Sequence, residues 1–385
     1  MTEQQAIPFL DIAAQNAEVV AEVLPAWEEL FETAAFVGGP AVDQFESEFA
    51  AFTGVRHCIG VANGTDALEL AMRAVGVMPG GEVIVPVNTF VATAEAVSRI
   101  GARPIFVDVD DEQLLIQPPA VEAAITPRTQ AIVPVHLYGQ VSPVDSLTAT
   151  TVGARIPIVE DNAQAQGASG TEGRTGALGA IAATSFYPGK NLGAAGDAGA
   201  VTTNDAELAH AVRSLGAHGS SVKYVHDRIG VNSRLDALQA VVLSAKLRRL
   251  EEWNARRRVA AAAYAELLGP LEASGAIRLP RSRAGSTDVW HLYVIRILAA
   301  SRDRVLDALL EQGIGAAIHY PTPLHLTGAY AGAGYRRGQF PIAETAAEQI
   351  LSLPMFPHIT RSQQERVADA LASVNDALSR ERMLR

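Results

Sequence analysis

The sequence predicts an α/β protein: a large domain with a mainly parallel central sheet sandwiched by helices, followed by a smaller α+β C-terminal domain. Two features of the 385-residue chain carry this expectation. Short β-rich runs alternate with helical patterns through the first 215 residues, and the runs are near-continuously apolar, as strands covered on both faces must be. From Leu235 the pattern changes to a long Arg- and Ala-rich helix followed by a mixed segment. A chain of this length exceeds the usual single core, so a division into residues 1–250 and 251–385 is expected.

The expected strands are 57–61, 82–86, 104–108, 131–135, 156–160, 182–186 and 198–202. Helical stretches at 65–74, 91–100, 119–125 and 205–215 separate them. Leu235, Leu238, Val242 and Ala245 recur at helical spacing, and the helix they open runs to residue 268, where Gly269-Pro270 should stop it. The strand-like 290–296, a helix at 301–312, the segment 321–325 and a last helix from 362 make up the smaller domain. Acidic N-terminal helices before Gly38-Gly39-Pro40 are expected to pack beside it. In parallel sheets ligands collect beyond the carboxyl ends of the strands, so the residues after each strand are the place to look for chemistry.

Composition narrows the function classes. A formal charge of -11 disfavours non-specific binding to nucleic acid or anionic membrane. Cys58 is the only cysteine, which excludes an intrachain disulfide and a cysteine-rich metal site. No apolar run is long enough to span a bilayer, and no basic residue precedes Arg56, so a cytoplasmic location is expected. His319 and His325 lack a third ligand at sensible spacing, and Asp108, Asp110, Asp111 and Glu112 read as a solvated turn; no metal is expected.

Of 31 Lys and Arg residues only Lys190, Lys223 and Lys246 are Lys. Lys190 lies in Ser185-Phe-Tyr-Pro-Gly-Lys190, behind an apolar strand. A Lys amine can lose its proton and form an imine, which Arg cannot, so the position suggests covalent carbonyl chemistry; taken alone, the segment fits a surface Lys at a strand-to-loop corner better. Asn63-Gly64-Thr65-Asp66 ends a strand and opens a helix, which suits either a phosphate or plain N-capping. Asp161 follows a buried-looking run and needs a partner: a protonated pyridine nitrogen, or the N–H groups of a neighbouring loop. Gln164 could then reach the ring's phenolic oxygen. Phe90 could stack on a flat ring or simply join the core. Ser185 could offer a phosphate a second hydroxyl. Taken together, these residues place a phosphate turn, an aromatic, a pyridinium carboxylate and an imine lysine at strand ends.

The stretches Ala62-Asn-Gly-Thr-Asp-Ala-Leu68, Val159-Glu-Asp-Asn-Ala-Gln-Ala-Gln-Gly-Ala168, Ser185-Phe-Tyr-Pro-Gly-Lys-Asn-Leu192, Gly230-Val-Asn-Ser-Arg-Leu-Asp236 and Ile318-His-Tyr-Pro321 resemble the DegT/DnrJ/StrS family of sugar aminotransferases. That family depends on pyridoxal 5′-phosphate (PLP) and has the type I aminotransferase fold. The resemblance covers nearly the whole chain in the family's order. It implies that Lys190 is the imine lysine and proton shuttle, that Asp161 pairs with the pyridinium nitrogen, that Gln164 faces the phenolic oxygen and that Phe90 covers the ring. Gly64, Thr65 and Ser185 would hold the phosphate, with Asn232 reaching it from the neighbouring subunit of a homodimer. One departure is Ala198, where the family more usually has Gly.

The same resemblance implies L-glutamate as amino donor and a nucleotide-linked keto-deoxysugar, dTDP-linked, as acceptor. The cofactor would alternate between PLP and pyridoxamine phosphate. Lys223-Tyr224-Val-His226 resembles members that aminate C3, whereas C4-acting members more often carry an aromatic where Ser233 stands. Lys223 and Arg234 are candidate contacts for a diphosphate or the donor carboxylate, and Tyr187, His319 and Tyr320 for the sugar. The family's sugar dehydrases have His in place of Lys190, which argues against dehydration. A regulatory relative that lost the chemistry is a further alternative, opposed by the retention of Lys190, Asp161, Gln164 and Ser185 together.

Overall fold

A computed structural model describes residues 6–151, 153–222 and 224–383. Strands Arg103–Val107, Glu82–Pro86 and Thr129–Ile132 lie side by side in that order, all parallel. Parallel bridges from Ile132 to Ile158 and from Val135 to Asp161 join them to strand Val159–Asp161, which pairs in parallel with Ile181–Ser185. Gly199–Thr203 then runs antiparallel between Ile181–Ser185 and the edge strand His57–Val61. The sheet is therefore mainly parallel with one reversed strand.

That reversal positions the chemistry. A strand that turns straight back keeps its connection at the same end of the sheet, whereas a parallel neighbour needs a crossover to the far end. Residues 186–198, which carry Lys190, consequently sit at the carboxyl edge, beside the end of Val159–Asp161 and the start of helix Gly64–Ala74. Helices Gly64–Ala74, Val91–Arg99 and Ala206–Gly216 cover one face through small or slender residues, among them the fully buried Ala67, Ala71, Ala94 and Val212.

Strand ends differ from the expectation by up to three residues. Asp161, expected just after its strand, is the strand's last residue: its N–H donates to Pro134 O at 2.9 Å and its carbonyl accepts from His136 N at 3.0 Å. The long helix is also a correction. It runs from Ala237 to Ala273, straight through Gly269-Pro270, with residue 250 in its interior. Pro270 lies in the last turns, where its missing N–H forfeits one helix bond, and the helix is closed further on by Ser274, Gly275 and Ala276 donating to Pro270, Glu272 and Leu271 carbonyls.

The C-terminal layer is an antiparallel sheet of Ile277–Arg278, Tyr293–Ile297 and Ile350–Leu353. Its core unites Tyr264 and Leu268 of the long helix with Leu309, Val367 and Leu371. Ile7 joins that core and exchanges backbone bonds with Gly313 and Gly315, both at 2.8 Å. Val19 and Val23, at the start of helix Val20–Thr33, pack on Val242, Ala245 and Trp253 of the long helix.

Behind Asp161 lies a buried polar knot. The Glu160 carboxylate accepts N–H bonds from Gly176, Leu178 and Gly179 at 2.7–2.8 Å and a further bond from His136 Nε2 at 2.8 Å. His136 Nδ1 accepts from Ser142 N at 3.0 Å, so Nε2 carries the ring proton. Gly179 is required here, because a Cβ would stand 2.7 Å from Ile158 O. Glu160→Ala leaves three backbone donors buried without an acceptor, and the expected loss is roughly 3–5 kcal/mol of stability, read from the urea denaturation midpoint.

Candidate active site

A cleft of about 680 Å³ opens at the carboxyl edge of the sheet and reaches to the C-terminal layer. Ten of the expected residues line it: Gly64, Thr65, Phe90, Asp161, Gln164, Ser185, Tyr187, Lys190, His319 and Tyr320. Asn232 and Arg234 do not; both are exposed, with Arg234 Nε donating to Asn232 Oδ1 at 3.1 Å. Lys223 lies outside the described residues.

One end of the cleft is a backbone cradle. Asn63 caps helix Gly64–Ala74, its Oδ1 accepting from Asp66 N at 2.8 Å, which turns the first N–H groups towards the cleft. The neighbouring strands press against this turn. A Cβ on Gly64 would meet Ser185 Cβ at 2.5 Å, and one on Gly199 would meet the Asn63 carbonyl at 2.5 Å. A side chain at either glycine would force the turn away from the strands packed on it.

At the other end lies Asp161, 5% exposed. Its Oδ2 accepts from Thr93 Oγ1 at 2.8 Å and its Oδ1 from Ala163 N at 3.2 Å. Burial pushes the carboxyl above its ordinary range; the Thr93 and Ala163 bonds and the charge of Lys190 oppose the shift. Lys190 shows the complementary effect: burial brings its ammonium down from 10.5 to about 8, against the pull of Asp161. A tenth or so of such an amine is neutral at pH 7, roughly 300-fold more than for an ordinary Lys.

The remaining walls are aromatic and amide. Phe90 is half exposed rather than part of the core, and its ring centroid stands 5.5 Å from that of Tyr320. Gln164 Oε1 accepts from Tyr138 N at 2.7 Å and its Nε2 donates to Tyr320 Oη at 3.1 Å, which leaves one amide hydrogen for a ligand. His319 stacks on Phe9 at 5.5 Å and shares a hydrogen bond with Ser352 Oγ at 2.8 Å; burial and the charge of Lys190 bring its pKa down to about 4. Tyr187 is exposed at the mouth.

The long helix holds the Lys190 loop at three points. Gln239 Oε1 accepts from Ala195 N, Lys246 Nζ donates to Gly193 O, and Asn254 Oδ1 accepts from Asn191 Nδ2, at 2.8, 2.8 and 2.9 Å.

An amine that is partly free base, a buried carboxylate short of counter-charge, an aromatic wall and a helix N-terminus in one cleft describe a carbonyl-chemistry site. The comparisons agree. A match to the DegT/DnrJ/EryC1/StrS aminotransferase family spans residues 18–372. The chain belongs to that family. It is an aminotransferase, and its family is PLP-dependent. A dTDP-3-amino-3,4,6-trideoxy-alpha-D-glucose transaminase of Streptomyces venezuelae is 45% identical over 369 residues, 96% of either chain. A pleiotropic regulatory protein of Geobacillus stearothermophilus is 43% identical over 95% of this chain and 98% of its own. S. venezuelae DesV, solved with a ketimine intermediate, superposes with a TM-score of 0.93 at 44% identity, covering 97% of this chain and 99% of its own. Bacillus subtilis NtdA, solved with PMP, gives 0.90 at 32% identity, with coverage of 97% and 86%. Among the described residues no helix is long and apolar enough to cross a membrane.

Thr93, Phe9, Asn191 and His291 belong to or support the site but were not singled out from the sequence. Thr93 had a usable signal: it stands four residues after Thr89, on the first turn of a helix that follows a strand, and the two hydroxyls lie 2.8 Å apart. Its bond favours the ionised form of Asp161. Thr93→Val should therefore cost more stability at pH 7 than at acid pH, as Asp161 takes up its proton, with a difference of about 1 kcal/mol by urea denaturation.

Proposed function

We propose that this aminotransferase uses PLP to move an amino group from L-glutamate to a nucleotide-linked keto-deoxysugar, dTDP-linked and aminated at C3. The observation that carries the reading is the shared cleft: Lys190, brought to about 8 by burial, and the buried Asp161 face the Gly64 cradle. These residues fit PLP. The first-turn N–H groups at Gly64 and Thr65, with the Ser185 hydroxyl, line the cleft together and would hold the phosphate. Asp161, penalised by burial without a full counter-charge, would take the protonated ring nitrogen. Gln164 has an amide hydrogen left for the phenolic oxygen, and Phe90 would cover the ring and exclude water.

When bound, PLP supplies an electron sink for the carbon that loses its proton. The chain supplies the proton transfers. Lys190 Nζ, neutral for part of the cycle, would take the proton from the donor's α-carbon and deliver it to the carbon that receives the amino group. Asp161 keeps its charge opposite the ring nitrogen throughout. In the second half-reaction Lys190 Nζ moves the proton back, towards the sugar carbon. Tyr187, His319 and Tyr320 line the cleft and are offered for the sugar. Arg234 and Lys223 are offered for the diphosphate or the donor carboxylate. Asn232 of one subunit would complete the phosphate site of the other, which accounts for its lying outside its own cleft.

C3 is supported by the Lys223-Tyr224-Val-His226 segment, by Ser233 and by the 3-amino product in the name of the S. venezuelae relative. The name of the G. stearothermophilus relative favours a regulatory role. Against it stands the full set of Lys190, Asp161, Gln164 and Ser185 in one cleft.

Two measurements test the reading. Lys190→Arg keeps the charge but should lose turnover, by at least ~10⁴-fold, together with the visible absorbance of lysine-bound PLP. Normal transamination by that variant removes the central assignment. Incubation of the PLP form with glutamate and a panel of 3-keto and 4-keto nucleotide sugars, with the new amine located by NMR, should give product from the 3-keto set. Product from 4-keto sugars alone overturns C3, and a colourless protein that takes up no PLP returns the regulatory reading.

A further inference from the structure

Ile7-Pro8-Phe9-Leu10 forms a strap along one side of the cleft. Pro8 disfavours helix at Ile7 and carries no N–H to leave unpaired, so the segment stays out of the helix that starts at Ile12. One end is tied to the C-terminal layer. Ile7 N donates to Gly313 O and Ile7 O accepts from Gly315 N, both at 2.8 Å, and Phe9 O accepts from Met355 N at 3.3 Å. Gly315 permits this approach, since a Cβ there would stand 2.5 Å from Phe9 N. The other end reaches the lysine loop. A Cβ on Gly189 would meet Leu10 Cδ1 at 3.3 Å, so Leu10 lies against the residue that precedes Lys190. Asp11 then caps helix Ile12–Ala17, its Oδ1 accepting from Ala14 N at 2.9 Å. Phe9 and Leu10 both line the cleft.

Between those ends Phe9 lies on His319. The ring centroids are 5.5 Å apart and the planes 19° from parallel, a stacked pair. His319 is held on two further sides. Its Nδ1 shares a hydrogen bond with Ser352 Oγ at 2.8 Å, and the Tyr320 ring meets it edge-on with centroids 5.6 Å apart. The backbone here is fixed as well: Tyr138 Oη donates to His319 O, and Ala317 and Ser352 exchange backbone bonds at 3.1 and 2.8 Å. A hydrogen bond fixes one point of an imidazole, not its plane. The flat Phe9 ring fixes the plane. The titratable groups that act on this imidazole are Lys190 and His291, with Tyr320 in contact.

We propose that Phe9 is a positioning residue: it holds the plane of His319 and keeps water from its face, so that the imidazole meets the acceptor sugar in one orientation. That His319 meets the sugar rests on the amination reading; the stack and its effect on the imidazole do not. The strap thereby belongs to the acceptor site, although it lies at the opposite end of the sequence from His319.

Two variants and two readouts test this. Phe9→Tyr keeps a stacked ring, and Phe9→Ala removes it. The first readout is an NMR titration of His319 in the cofactor-free full chain with carbon-13-labelled histidine, the signal being assigned by its loss in His319→Gln. Burial brings His319 down to about 4. The wild-type ring should therefore stay neutral at pH ~5.5, where an ordinary imidazole is about nine-tenths charged. Phe9→Ala should raise the midpoint by about one pH unit as water reaches the ring, and Phe9→Tyr should leave it in place. The second readout compares the half-reactions of the PLP-loaded enzyme in single turnovers. Phe9→Ala should slow amination of the keto sugar at least ~10-fold more than it slows deamination of glutamate, and Phe9→Tyr should restore the wild-type ratio.

A wild-type His319 that is charged at that pH overturns the proposal without any variant having to fold. So does a titration that Phe9→Ala leaves in place, an equal loss in both half-reactions, or a Phe9→Tyr that behaves as Phe9→Ala. A merely structural Phe9 would lower stability and move neither the titration nor the ratio. If the wild type takes up no PLP or aminates no keto sugar, the amination reading fails by itself, and the His319 titrations still decide whether Phe9 positions the imidazole.

Discussion

The burial of one carboxylate, Asp161, governs the rest of the cleft. A charge taken out of water must be matched by donors and opposite charge, and here the match is incomplete: Thr93 and Ala163 donate to it, Lys190 attracts it, and the carboxyl still sits above its ordinary range. Lys190 is under the mirror-image stress. Each group is driven towards neutrality by desolvation and towards ionisation by the other. On the amination reading, a cationic ring nitrogen arriving at Asp161 relieves the carboxylate and releases the amine from its part in that balance. The same event would thus seat the cofactor and free the base.

This arrangement depends on a rigid backing. Glu160, adjacent to Asp161 in sequence and pointing away from the cleft, ties strand Val159–Asp161 to the 176–179 turn and to His136. Two neighbouring acidic residues have opposite tasks: one is saturated with donors and holds position, the other is left under-matched. The reversed strand Gly199–Thr203 completes the geometry by returning the Lys190 loop to the edge where Asp161 ends.

Much of this was legible in the sequence, for definite reasons. Asp161 and Ser185 end their strands, and Gly64 and Lys190 follow three and five residues after strand ends, where local turn chemistry and the carboxyl-edge rule point directly at them. Residues that act across the chain left no such trace. Thr93 meets Asp161 over a separation of 68 residues, and His291 meets Asn191 over 100. The strand reversal was readable in principle, since residues 186–198 show Gly and Pro but none of the helical pattern that a parallel crossover uses. The helix end was misplaced because a Pro near a C-terminus removes only one bond, and the apolar anchors Tyr264 and Leu268 reach into the second core beside it.

The 37-residue helix, about 55 Å long at 1.5 Å per residue, begins beside the central sheet and ends inside the C-terminal core. Because Gln239, Lys246 and Asn254 grip the lysine loop along its length, it behaves as a keel shared by both layers. Rocking one layer against the other would pull buried polar bonds apart. Substrates of different bulk must then be admitted at the rim, by side chains such as the exposed Tyr187, while the floor of the cleft keeps one shape. Accommodation of a ligand and the chemistry done on it are thereby assigned to different parts of the molecule.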